Sequence, residues 1–196
     1  MTTREVQAAT AAEGTTPRLA VEAAERAFPQ WSAMAPSERG SLLQRASELL
    51  VERQAAIAAL ITEETNGTLG WGMFNVQLGA GMLAYYANHA DATAEEQEIP
   101  SHIPGKRAKA VRQPVGVVVG FAPWNAPVIL GVRAVAAPLA YGNTVVLKAS
   151  EQCPRTHAAV VEALTDAGIP APSCTLNMPH PRVPFVSSVM RAAIAA

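Results

Sequence analysis

The chain has 196 residues, a formal net charge of −1 and an apolar share of 49%, which means one domain, or one and a fraction, with enough apolar side chain for a sizeable core. The near-neutral balance gives no electrostatic reason to expect nucleic acid or an anionic membrane as partner. No apolar run approaches membrane-spanning length.

Residues 1–16 are rich in Thr and Ala without periodicity and read as a mobile tail. No apolar leader segment accompanies Arg4, so a cytoplasmic location is expected. Pro17 to Trp31 places Val21, Ala24, Phe28 and Trp31 on one face of a helix. Pro36-Ser37-Glu38 opens a second helix with Leu42, Leu43, Ala46, Leu49 and Leu50 as its stripe. Ile57, Leu60 and Ile61 prolong that stripe as far as Asn66-Gly67. A third helix is predicted from about Phe74 to about Asn88, with Phe74, Leu78, Met82, Leu83 and Tyr86 turned inward. Pro100, Pro104 and Gly105 mark an extended loop, and Ala108 to Gln113 alternates weakly, as a strand does. Lys106, Arg107 and Lys109 read as a solvated loop or strand edge.

Val115 to Phe121 is largely β-branched and lacks strict alternation. That predicts a strand buried on both faces, and so a parallel sheet covered by helices. Pro127 to Tyr141 is long enough for a crossover helix that Pro127 opens and Gly142 stops, with Pro138 expected to kink or shorten it. Asn143 to Leu147 repeats the strand. Lys148, Ser150 and Glu151 sit at its C-terminal end, where open α/β sheets bind ligands. Pro154 to Ala167 reads as a further helix with Ala158, Val161 and Leu164 inward and Gly168 as its stop. Ile169-Pro170 should lead into a third strand, but Pro179, Pro181 and Pro184 exclude a central strand there. The fold class is α/β: helices followed by an incomplete Rossmann-like parallel sheet.

Asn125 lies between Pro123 and Pro127, which stiffen its turn. A fixed amide at a sheet's C-terminal edge suits an oxyanion donor, and it equally suits a cap on the following helix. Lys148 and Glu151 have the chemistry to hold a sugar's hydroxyls, or to form an ordinary surface pair. The turn after Phe121 lacks the Gly-x-Gly-x-x-Gly fingerprint, so ordinary pyrophosphate docking on the first helix is not expected. Cys153 starts a helix, and its thiolate would gain from the helix N-terminus, but no base is visible nearby and it reads as structural. Cys174 lies among the prolines of the C-terminal stretch. The pair suggests neither a disulfide framework nor a zinc finger. His89, His102, His157 and His180 show no metal spacing, and no metal site is expected.

Three segments keep one order. They are Pro114-Val115-Gly116-Val117-Val118-Val119-Gly120-Phe121-Ala122-Pro123-Trp124-Asn125-Ala126-Pro127, Gly142-Asn143-Thr144-Val145-Val146-Leu147-Lys148-Ala149-Ser150-Glu151 and Glu162-Ala163-Leu164-Thr165-Asp166-Ala167-Gly168-Ile169-Pro170. Together they resemble the aldehyde dehydrogenase superfamily over about Pro17 to Pro172. Phe28-Pro29-x-Trp31 and Ser37-Glu38-Arg39 look like that family's N-terminal helices. Phe74-Asn75-Val76, Ala80-Gly81-Met82-Leu83 and Val128-Ile129-Leu130-Gly131-Val132-Arg133 resemble the branch acting on salicylaldehyde and vanillin.

The resemblance implies an oxidoreductase that converts an aromatic aldehyde to the acid with NAD, NADP being the alternative. It implies Asn125 as the side-chain oxyanion donor and Phe121, Ala122 and Trp124 as lining of the cofactor groove. Lys148 and Glu151, with Ser150 nearby, would hold the adenosine ribose, and a glutamate at 151 suits NAD better than NADP. It also implies a partial NAD(P)-binding domain across 17–172, an oligomerisation-type segment at 98–113 and homo-oligomeric relatives. The family's glycine motif, general-base Glu and nucleophilic Cys have no counterpart, and residues 173–196 diverge, as after a truncation or frame change. The expectation is an N-terminal fragment that is inactive alone. The rival reading is a non-catalytic fragment that binds a full-length homologue, or an unproductive remnant.

Overall fold

Six helices and two small sheets make up the described part of the chain, residues 17–93 and 96–170 of a computed structural model. The expected tail at 1–16, the segment 173–196 expected to diverge, and Cys174 within it lie outside those residues. In order come α1 (Pro17–Ala33), α2 (Pro36–Glu52), α3 (Gln54–Thr65), α4 (Leu69–Asn88), a 3₁₀ turn (Asp91–Thr93), β1 (Gln97–Ile99), β2 (Ala108–Ala110), β3 (Val117–Phe121), α5 (Pro127–Ala140), β4 (Thr144–Lys148) and α6 (Pro154–Asp166).

Local chemistry sets several of these bounds. The Glu38 side chain accepts from the Ala35 N–H at 3.3 Å and stabilises the start of α2. Arg53 leaves helical geometry (φ −97°, ψ 8°), so the stripe predicted as one helix is carried by two. Asn66 closes α3 in the left-handed region at φ 56°. Thr68 Oγ1 accepts from the Trp71 N–H at 3.1 Å, which starts α4 five residues before the expected Phe74. Helix α5 runs on through Pro138 to Ala140.

Strands β3 and β4 pair in parallel, with Val117 opposite Thr144 and Phe121 opposite Lys148. Their entry is fixed by Asn143, whose buried side chain accepts from the Val115 N–H (2.7 Å) and Gly116 N–H (3.2 Å) and donates to Pro138 O. Helix α1 covers one face through Ala20, Val21 and Ala24 against Val146, with Val117 and Val119 alongside. Helix α5 covers the other, where Val145 and Leu147 join the main core. Trp31 is fully buried at the end of α1 and donates its indole N–H to Leu139 O at 3.2 Å. Strands β1 and β2 form a separate antiparallel ribbon, exposed or half-exposed along its length, with Arg107 paired to Glu98 and Lys109 to Glu96.

Two burial expectations are corrected. Strand β3 is not buried on both faces: Val117 to Val119 are half-buried, Phe121 is exposed, and Val115 lies before the strand at 84% exposure. The physical reason is that β4 alone pairs with it among the described residues, so one edge is open. Phe74 and Leu78 do not point inward; they are 50% and 42% exposed. The inward face of α4 is made instead of Gly72, Asn75, Val76, Gly79, Ala80 and Leu83. Small residues allow backbones to approach closely there. A Cβ at Gly72 would meet Ala58 O at 2.8 Å, and one at Gly79 would meet Val128 Cγ1 at 2.8 Å. Close packing excludes the larger side chains from that face.

Candidate functional site

The C-terminal ends of β3 and β4 bring the two singled-out motifs together. Past the last paired residues, the Ala122 N–H donates to Lys148 O at 3.0 Å and extends the ladder by one bond. Ala122 is buried, while Phe121 and Trp124 are about half exposed beside it. Asn125 follows, exposed in the bend before α5. It does not cap that helix: the N-cap is Ala126, and no side chain caps there. Of the two readings the sequence leaves open for Asn125, the helix cap is therefore removed.

On the neighbouring strand, Lys148 Nζ lies 2.9 Å from Glu151 Oε2. Ser150 is buried, and its Oγ accepts from the Gln152 N–H at 3.2 Å, so it shapes the turn that presents Glu151. The ledge thus carries two aromatic rings, an amide, an ammonium and a carboxylate at the end of the sheet.

Beneath it sits a group that the sequence reading missed. His157, fully buried, receives the Ser150 N–H on Nδ1 at 3.2 Å and donates from Nε2 to Pro127 O at 3.1 Å. Cys153 Sγ is 3.6 Å from Nδ1. The expectation that Cys153 has no base nearby is thus corrected. The spacing of four residues on one helix was the available signal. The expected gain from the helix N-terminus is also corrected. Glu64 of α3 already fills that end of α6, accepting from the Arg155 N–H (2.8 Å), the Thr156 N–H (2.9 Å) and Thr156 Oγ1 (2.6 Å). Burial, reinforced by the Glu64 carboxylate, pushes the Cys153 thiol up to about 12. Burial likewise holds the His157 imidazole down at about 4, so the ring is neutral at ordinary pH.

That depression has a consequence for stability. The unfolded chain protonates His157 near the ordinary value of about 6.5, whereas the folded chain resists. The contribution is therefore fully present above pH 6.5 and is lost progressively toward pH 4. Denaturant titrations at pH 7, 5.5 and 4.5 should show His157→Asn losing less stability on acidification than the parent, by up to ~3 kcal/mol. Equal slopes would remove His157 as the cause.

No group of three or more His, Cys, Asp and Glu residues suited to a metal occurs among the described residues. No described helix is long and apolar enough to cross a membrane.

The model of the aldehyde dehydrogenase family matches residues 1–179, and so extends past Pro172. A vanillin dehydrogenase of a Pseudomonas species is 55% identical over 150 residues, covering 76% of this chain and 31% of that protein. In structure the chain is similar to a salicylaldehyde dehydrogenase from Pseudomonas putida complexed with salicylaldehyde. That match has a TM-score of 0.82 at 32% identity and covers 92% of this chain and 37% of the other. It is also similar to an NAD-dependent benzaldehyde dehydrogenase from Corynebacterium glutamicum, with a TM-score of 0.74 at 32% identity, covering 80% and 34%. The chain spans about a third of the length of these relatives. With the sheet, its crossover helix and both motifs in the arrangement described, the chain belongs to the aldehyde dehydrogenase family.

Proposed function

We propose that these residues form the first part of the cofactor-binding half of an NAD-dependent oxidoreductase acting on aromatic aldehydes. The observation that carries this reading is the Ala122 N–H to Lys148 O bond, which brings the Asn125 turn and the Lys148–Glu151 pair to one sheet end.

The donor set fits the adenosine side of a dinucleotide. The Glu151 carboxylate would accept from the ribose hydroxyls and the Lys148 ammonium would donate to them, with Ser150 fixing the turn that presents Glu151. The exposed Phe121 and Trp124 and the Ala122 backbone line the groove beside them. When bound, the nicotinamide supplies the hydride acceptor. Asn125 would offer its amide N–H to the aldehyde oxygen and stabilise the negative charge that builds there. The chain's own part is binding, orientation and oxyanion stabilisation. Its 196 residues offer no match to the family's nucleophile or general base, and we propose that they are inactive by themselves. In relatives, the exposed β1–β2 ribbon, Gln97–Ile99 with Ala108–Ala110, which overlaps 98–113, would serve homo-oligomer contacts.

Calorimetric titration of the 196-residue chain with NAD and with NADP tests the groove. The parent should prefer NAD, because Glu151 repels the extra phosphate. Glu151→Gln should relax that preference by roughly fivefold, the scale of one exposed charge interaction. An unchanged ratio would remove Glu151 from the ribose site, and failure of the parent to bind either cofactor would remove the groove itself.

A further inference from the structure

The ledge is carried by two loops, and a single buried ring joins them from below. His157 lies in the first turn of α6, with no exposed surface. A carbonyl only accepts and an amide N–H only donates, so its two partners fix the neutral Nε2–H tautomer. The bond to Pro127 O lands two residues from Asn125. The bond from Ser150 N–H lands next to Glu151 and two residues from Lys148. The ring packs over Gly131, where an added Cβ would lie 3.3 Å from its Cδ2. At strand level the Ala122 N–H to Lys148 O bond joins the same two loops.

We infer that His157 is a positioning residue that locks the Asn125 turn and the Lys148–Glu151 loop into one rigid body. The oxyanion donor and the ribose-holding pair then keep a fixed separation. The catalytic meaning of that separation rests on the function proposed above; the locking does not. The neutral ring, held so by burial, is the only form able to accept at Nδ1 while donating at Nε2.

Two conservative variants take the strut apart. Asn at 157 places its amide at the height of Nδ1 and keeps the Ser150 bond; Gln reaches the position of Nε2 and keeps the Pro127 bond. Amide hydrogen exchange of the 196-residue chain, read by mass spectrometry, resolves the two loops as separate peptides. His157→Asn should raise exchange about tenfold across 124–130 alone, and His157→Gln about tenfold across 148–153 alone. NAD affinity should fall more for His157→Gln than for His157→Asn. A merely structural side chain would move both loops together, so equal responses of the two peptides, or none, overturn the inference. A split in exchange without NAD binding supports the lock and overturns the cofactor groove. If both variants unfold, ring nitrogen spectra of the parent at pH 7 decide: one Nε2–H tautomer supports the strut, and an Nδ1–H or averaged ring overturns it.

Discussion

A purified polypeptide of these 196 residues should form no NADH when given NAD and salicylaldehyde or vanillin. Loss of a nucleophile that acts with its neighbours as a unit costs on the order of 10⁶ in turnover. Here the matching base is missing from the sequence as well. Cys153 does not fill the gap. It is fully buried, and a thiol pushed up to about 12 leaves a thiolate fraction on the order of 10⁻⁵ at pH 7. The charge of the α6 N-terminus, which would lower that value, is already taken by Glu64. His157 Nδ1 is 3.6 Å away but is occupied by the Ser150 N–H. The control is a Cys153→Ser, Cys174→Ser double variant. NADH formation by the parent that disappears in the variant would make a local cysteine the nucleophile.

In a full-length aldehyde dehydrogenase carrying this segment, Asn125→Ala should lower turnover by about 10²- to 10³-fold. The structure sharpens what else should happen. Asn125 is exposed and does not cap α5, so its truncation removes no helix-stabilising bond. The melting temperature and the KM for NAD should therefore stay close to those of the parent while kcat falls. Unchanged turnover would take Asn125 out of the oxyanion role. A fall in melting temperature that tracks the loss would assign it a structural one.

Much of the scaffold was legible because its cues are local. Pro127 and Gly142 bracket α5, Gly168 ends the α6 region, and the β-branched runs around Val118 and Val145 mark the two paired strands. The stripe from Leu42 to Ile61 was recognised in composition, although the break at Arg53 has no strong breaker residue to announce it. The face of α4 was misjudged for a physical reason. Size and apolarity pointed to Phe74 and Leu78, whereas close packing selected Gly72, Gly79 and Ala80. The exposed groups of the candidate site were legible as types after strands. What supports them was not. Glu64 reaches α6 from 92 positions away, and Asn143 fixes β3 from 27 and 28 positions away. Such pairings leave no periodicity. His157 did leave one, four residues after Cys153, but only burial shows that the ring serves the loops rather than the thiol.

Gly79 gives α4 a hold over chemistry that it never touches. Its missing side chain is the space in which Val128 sits, and Val128 follows the proline whose carbonyl His157 grips. A methyl group there would meet Val128 Cγ1 at 2.8 Å, so Val128, in the first turn of α5 and three residues from Asn125, would have to shift. A substitution at Gly79 would therefore press on the turn that carries Asn125, the proposed oxyanion donor, from a separate helix. The outer stripe of the same helix, Trp71, Phe74, Leu78 and Tyr85, is exposed and lies away from that seat.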